Sequence, residues 1–328
     1  MKALVYTGPE TLEYQDFEDP TAVHDTLVKI AHVGICGSDM HAWAGHDDRR
    51  PAPLILGHEA AGTIVSGPKT GTRVTINPLV SCGECEPCLA SRENLCGTRQ
   101  IISMPPRQGA FAEYLSMPIG NMVEVPDDVP TEKASLAEPL ACGWHAVRLG
   151  MRALDRPLAN ARCLVLGGGA IGLGAALVLA AKGATEIWLA ETNAERRRIV
   201  SQAGDFKTFD PMSENGPDDV DLAIDGVGFE ATRRAAFAKV KPGGVIVHIG
   251  LGSSSGGVDI RRATLQEITF IGVYTYTQKD FRDTAQAIFD GTLGALDWPE
   301  VRSLSEGATA FANIKAGVVA APKIILKP

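Results

Sequence analysis

Cys36, His58 and Glu59 offer a thiolate, an imidazole and a carboxylate, a ligand set that suits Zn²⁺ when a fourth position stays open to water or substrate. An open position means catalysis. Asp39 follows three residues after Cys36, where a carboxylate can hold the far ring nitrogen of His58 and fix its tautomer. Ser38 and His41 add a short proton path beside it. A second set, Cys82-x2-Cys85-x2-Cys88-x7-Cys96, places four thiolates where one lobe can wrap a tetrahedral ion. With no His, acid or water in the set, it reads as a closed structural site. The bacterial ferredoxin run begins the same way, but its fourth Cys follows after three residues and precedes Pro, whereas Cys96 follows after seven and precedes Gly97. Zinc fits that spacing better than an iron–sulfur cluster.

A third chemistry lies in Gly167-Gly168-Gly169-Ala170-Ile171-Gly172, which follows the short apolar run Cys163 to Leu166 and opens a helix of small residues. Gly167, Gly169 and Gly172, with Ile171 between, give the Gly-x-Gly-x-x-Gly pattern in strand–turn–helix context. Its glycines permit a tight turn and close approach of a pyrophosphate, whose charge the helix N-terminus stabilises. Glu191 ends the next strand candidate, Glu186 to Ala190, where an acid binds the ribose hydroxyls of NAD and repels the 2′-phosphate of NADP. NAD is therefore expected. Arg196, Arg197 and Arg198 weigh slightly the other way, although a basic run on a helix is usually a solvated face.

The elements that must position these groups fall into two patterns. Up to about Val125 the chain gives short strand-like runs, Lys2 to Tyr6, Thr26 to His32, Ala61 to Ser66 and Arg73 to Asn77, broken by Gly and Pro turns. This predicts a small antiparallel barrel. From about Ala134 the period changes to helix, with Leu136, Leu140, Trp144 and Val147 on one face and Glu138 near its start, within reach of a metal or simply complementing the helix dipole. Six strands then alternate with helices through Ile268 to Tyr274, which predicts a doubly wound parallel sheet with Gly250 and Leu251 after its fifth strand, at the carboxyl edge where a dinucleotide binds. A last strand, Lys323 to Leu326, can rejoin the first unit, so the nucleotide domain is inserted into the catalytic one.

The 328 residues make about two domains of ordinary size. The net charge of −8 and the 21% of charged residues suit an enzyme for a small neutral or cationic partner and not a nucleic-acid binder; only Arg92 and Arg99 are cationic around the four cysteines. No apolar run reaches the ~18 residues that span a bilayer, and Met1 to Tyr6 leads into strand alternation instead of a signal peptide. No membrane association is expected, and the location is read as cytoplasmic. The odd total of 7 cysteines argues for reduced, metal-binding thiols. His24, His32, His46, His145 and His248 read as packing or surface histidines.

Taken together, Gly34-Ile35-Cys36-Gly37-Ser38-Asp39, Gly57-His58-Glu59, the Cys82 to Cys96 lobe, Glu138-Pro139-Leu140 and the dinucleotide fingerprint resemble the zinc-containing medium-chain dehydrogenase/reductases, and among them the polyol dehydrogenases. The resemblance covers essentially the whole chain. It implies an α/β protein, with a GroES-like antiparallel β-barrel catalytic domain formed by residues 1–141 and 277–328, a structural-zinc lobe at 80–98, and an inserted Rossmann domain at 142–276. It further implies that Cys36, His58 and Glu59 hold a catalytic zinc with Glu138 joining directly or through water, and that Cys82, Cys85, Cys88 and Cys96 hold a structural one. By the same resemblance Ser38 and His41 form the proton relay, Glu191 and Arg196 bind the adenosine ribose, and Cys142 sits near the nicotinamide.

The implied reaction moves a hydride from a secondary alcohol, most naturally a polyol or sugar alcohol, to NAD. Two positions depart from the family pattern. A polyol-binding tyrosine is replaced by Ala42, beside a retained Trp43, and a substrate-contacting arginine by Thr275. Both changes remove polar contacts, which opens the substrate range to threonine, vicinal diols and simple secondary alcohols. A rival of another class, a nucleotide-binding protein without turnover, does not need an open metal position. A homodimer or homotetramer is expected, with the Ile268 to Tyr274 strand at an edge able to pair with its twin.

Overall fold

The strand Thr26–Gly34 alternates buried and half-exposed residues because one of its faces lies on a core, and it is the hub of the N-terminal half. It pairs antiparallel with Glu59–Ser66 over most of its length, with Tyr114–Met117 at its start and with Ile324–Lys327 at its end. The sheet continues from Glu59–Ser66 to Arg73–Ile76 and Met122–Glu124, and from Ile324–Lys327 to Glu300–Ser303. A smaller sheet of Thr11–Asp16, Lys2–Gly8 and Leu54–Ile55 closes the core, in which Leu4, Ile55, Ile64, Ile76, Phe111 and Phe311 are fully buried. This is the expected antiparallel barrel, except that Glu300–Ser303 pairs parallel with Ile324–Lys327. The computed structural model describes residues 1–21 and 26–328, so His24 lies outside the described residues.

Between these strands in sequence lies a six-stranded sheet in the order Lys207–Phe209, Glu186–Ala190, Arg162–Leu166, Val220–Asp225, Val240–His248, Thr269–Gly272, with every pair parallel. Chain order reverses at the first strand, which leaves the crevice at the carboxyl ends where such sheets bind dinucleotides. The helix Ala170–Ala181 is apolar almost all round and buried for most of its length, as a helix between a sheet and another helix must be. Its neighbour, Ala137–Ala153, runs from the barrel to the parallel sheet, and Gln278–Phe289 packs on it before the chain returns to the barrel. Among the described residues no helix is long and apolar enough to cross a membrane.

Two elements differ from expectation. The last parallel strand spans Thr269–Gly272, shorter than the apolar run Ile268 to Tyr274, because its partner Val240–His248 ends at His248, opposite Gly272; three residues on, Thr275 takes φ +45°. The helix after Glu191 ends at Val200 instead of Ala203, where Ser201, Gln202 and Ala203 form turns.

Candidate active site

Cys36 ends the turn after Thr26–Gly34 and caps the helix Gly37–Trp43, while Glu59 begins Glu59–Ser66, directly paired with Gly34. Antiparallel register therefore brings the two ligands together, and a ligand atom each of Cys36, His58 and Glu59 lies within 4.8 Å of the others. Gly34 makes room for this. A Cβ there would stand 2.0 Å from Glu59 Oε2, so only glycine lets the carboxylate lie across the strand.

Asp39 fastens the set. Its buried carboxylate accepts from Cys36 N at 3.0 Å and Gly57 N at 3.1 Å, and Oδ1 stands 3.3 Å from His58 Nδ1, leaving Nε2 for a metal. Burial alone would lower the His58 pKa, but the charges of Asp39 and Cys36 outweigh it and hold the imidazole well above its ordinary value. Glu59 is fully buried, with Oε1 accepting from Lys323 Nζ at 2.6 Å and Oε2 having no partner. Buried polar atoms are seldom left unpaired, and an acceptor aimed at a thiolate and an imidazole fits a zinc ion.

Two groups that the sequence does not single out complete the surroundings. Lys323, 6% exposed, donates to Ile35 O at 2.8 Å as well as to Glu59, tying both halves of the ligand set to the last strand. Its one sequence signal is a lysine heading the apolar run Ile324-Ile325-Leu326, where a cation must find an anion. Tyr276 is buried and donates its hydroxyl to Glu138 Oε1 at 2.8 Å. Glu138 is not among the three groups that meet at one point. It stands close by, and burial, reinforced by Glu59 and opposed by His58, pushes its pKa up to about 7. The hydroxyl of Thr275, in its left-handed conformation, is buried without a partner next to Tyr276. Cys142 is buried beside Glu138, Cys36 and Glu59.

Ser38 and His41 occupy successive turns of the Gly37–Trp43 helix, the first half-buried and the second exposed, with no hydrogen bond between them among the described residues. Ala42 and Trp43 are buried in the barrel core, where Trp43 packs edge-on against Phe311. Neither lines an open cleft. The four-cysteine lobe is assembled, with Sγ separations of 3.4 Å for Cys85–Cys88, 3.6 Å for Cys96–Cys82 and 3.9 Å for Cys82–Cys88. A tetrahedron with zinc–sulfur bonds of about 2.3 Å has edges of about 3.8 Å, so the set fits the ion.

At the parallel sheet, the turn Gly167–Gly169 leads into the Ala170–Ala181 helix, with Ile171 half-buried in its first turn. A Cβ at Gly172 would lie 1.9 Å from Gly167 O, which explains that glycine by helix–strand packing, whereas at Gly169 it would meet nothing within 4 Å. The loop thus faces open space at a helix N-terminus, which fits a pyrophosphate. Glu191 ends the second strand, accepting from Gly168 N at 2.8 Å and Asn193 N at 2.7 Å. Arg196 donates to Val319 O at 2.8 Å and stands 3.9 Å from Glu191. Gly250 packs against Val227, and Leu251 is exposed at the end of the fifth strand.

The chain matches two families, the alcohol dehydrogenase GroES-like domain over residues 22–127 and the zinc-binding dehydrogenases over residues 170–290. It is 32% identical over 311 residues to the L-galactonate-5-dehydrogenase of Escherichia coli K12, covering 90% of this chain and 89% of that protein. It is 29% identical over 343 residues to a protein of Neosartorya fischeri described as a probable D-xylulose reductase A, covering 96% and 94%. Among solved structures, a protein of Sinorhizobium meliloti 1021 described as a zinc-binding dehydrogenase and bound to NADP superposes with TM-score 0.89 at 28% identity, over 100% of this chain and 99% of that one. With the barrel, the parallel sheet and both candidate metal sets in place, the chain belongs to the zinc-binding dehydrogenases, as a medium-chain enzyme of the polyol dehydrogenase type.

Proposed function

We propose that the protein oxidises a secondary alcohol of a polyol or sugar alcohol to the ketone, with NAD as hydride acceptor and one catalytic and one structural zinc per chain. The observation that carries the reading is the meeting of Cys36, His58 and Glu59, with Glu59 Oε2 buried and without a partner. Zinc bound there supplies Lewis acidity toward the alcohol oxygen, and NAD in the crevice of the parallel sheet accepts the hydride. The chain's own residues do the rest. Asp39 fixes the His58 tautomer, Lys323 anchors Glu59, and Glu138, held by Tyr276, stands ready as a further ligand or water-positioning group. Ser38 takes the alcohol proton and hands it toward exposed His41 at the solvent edge.

NAD is preferred to NADP because Glu191 ends the second strand, where its charge opposes a 2′-phosphate. Gly167, Gly169 and Ile171 border the pyrophosphate while Gly172 lets the helix pack close against Gly167, Arg196 lies beside Glu191 at the ribose, and Gly250 and Leu251 border the crevice. We assign residues 1–141 and 277–328 to the catalytic unit and 142–276 to the nucleotide unit. The edge strand Thr269–Gly272 serves a homodimer or homotetramer, in the cytoplasm. A second reading, threonine or a vicinal diol as substrate, is favoured by Thr275, which offers no long polar side chain for a polyol next to Tyr276.

The test is NADH formation across sugar alcohols, diols, threonine and simple secondary alcohols, with and without prior chelation. Chelator-sensitive turnover of polyols supports the first reading. Turnover confined to diols or threonine supports the second, and silence of the zinc-loaded protein on every alcohol overturns both.

A further inference from the structure

A cavity of about 890 Å³ opens between the cysteine lobe, the C-terminal half of the Ala137–Ala153 helix, the end of the Ala170–Ala181 helix and the start of the Gln278–Phe289 helix. That volume suits a small molecule, and the proposed reaction makes no use of it. His145 lines it while only 6% exposed. The Nδ1 of His145 donates to Asp280 Oδ2 at 2.7 Å, and Nε2 has no hydrogen-bond partner among the described residues. Asp280 also takes Arg148 Nε at 2.7 Å and Nη2 at 2.9 Å, and Lys279 is paired with Asp283.

The carboxylates of the cavity are thus spent. Arg92, Arg152 and Lys182 line the same walls with no carboxylate partner among the described residues, and Lys182 Nζ stands 3.8 Å over the Trp144 ring. An unneutralised cationic cluster in a chain of net charge −8 is a local reversal of the field, and concave low-dielectric walls focus it on anions.

We infer that this cavity binds a small organic polyanion, a di- or tricarboxylate or a phosphate ester. Arg92, Arg152 and Lys182 meet its charge, and His145 Nε2, an acceptor while Nδ1 donates to Asp280, takes a hydroxyl of the ligand. The site bears on catalysis through shared elements. The helix that carries His145 and Arg148 has Glu138 in its first turn, and Thr277, which bonds Asp280, follows directly on Tyr276, which holds Glu138.

Calorimetric titration of the full chain with citrate, and separately with inorganic phosphate, at constant ionic strength tests this and tells the two chemistries apart. We expect one saturable site per chain for at least one of them, weakened at least tenfold in the double variant Arg152→Gln/Lys182→Gln. Basal turnover of that variant stays unchanged, because both side chains are exposed and neither belongs to the proposed catalytic or nucleotide-binding set. Saturation should shift the alcohol KM or kcat at least twofold in the wild type and not in the variant. No saturable binding, or equal affinity in the double variant, overturns the site, and binding without a kinetic shift overturns its link to Glu138. Sedimentation of both proteins closes the remaining route. If the wild type self-associates and the variant does not, the cations serve a second copy and the inference fails.

Discussion

On the proposed reading, Ser38 and Lys323 serve the same centre by different physics. Ser38→Ala removes one hydroxyl from a half-buried helix position and leaves every metal ligand in place, so zinc content should be unchanged while turnover falls about 10²-fold or more, the usual share of a positioned proton acceptor. Full activity at equal zinc content would rule the relay out. Lys323→Met strands a fully buried carboxylate, and breaking such a pair costs about 3–5 kcal/mol. Urea unfolding of the zinc-free variant should show that loss, and metal-loaded protein should show less of it, because the ion takes over part of the charge. The meeting of Cys36, His58 and Glu59 was legible in the sequence because the three sit in short local motifs. Lys323 was not, since its role depends on a pairing across 264 residues that no local pattern announces.

At the scale of elements, the Ala137–Ala153 and Gln278–Phe289 helices are joined by Asp280. Burial alone would raise its pKa, but hydrogen bonds from His145, Arg148 and Thr277 prevail and hold it below the ordinary carboxylate range. A carboxylate depressed in the folded state adds stability that is fully present above its unfolded pKa of about 4 and is lost as pH falls through the folded value. The stability gap between wild type and Asp280→Asn, followed by urea midpoints, should therefore be widest near neutrality and shrink below pH ~4. A constant gap would place the Asp280 contribution in packing. Strand and helix types followed from periodicity in both halves. The ends did not, because the last parallel strand stops at Gly272 where its partner ends at His248, which alternation of apolar residues cannot foretell.

For the whole molecule, the barrel, the parallel sheet and the cysteine lobe are separate constructions whose borders form the functional surfaces. The lobe leans on the chain that carries Tyr276, with Asn94 Nδ2 donating to Tyr274 O at 2.8 Å and Arg99 stacked 4.8 Å over the Tyr274 ring. Cys85→Ser should reduce bound zinc from two ions per chain to one by mass spectrometry. It should also raise the alcohol KM severalfold, because the support behind Tyr276 loosens. Loss of both ions would mean that the sets are not independent.

The last strand also sets a timetable for synthesis. Thr26–Gly34 and Glu59–Ser66 leave the ribosome early, yet the lysine that neutralises Glu59 follows 264 residues later, roughly 13–50 s at ordinary elongation rates. During that interval the nascent barrel holds a carboxylate that it cannot bury without a cation. Metal captured by Cys36, His58 and Glu59 before Lys323 emerges would fill that need, so zinc supply during translation, and not only afterwards, governs how much newborn chain reaches the folded state.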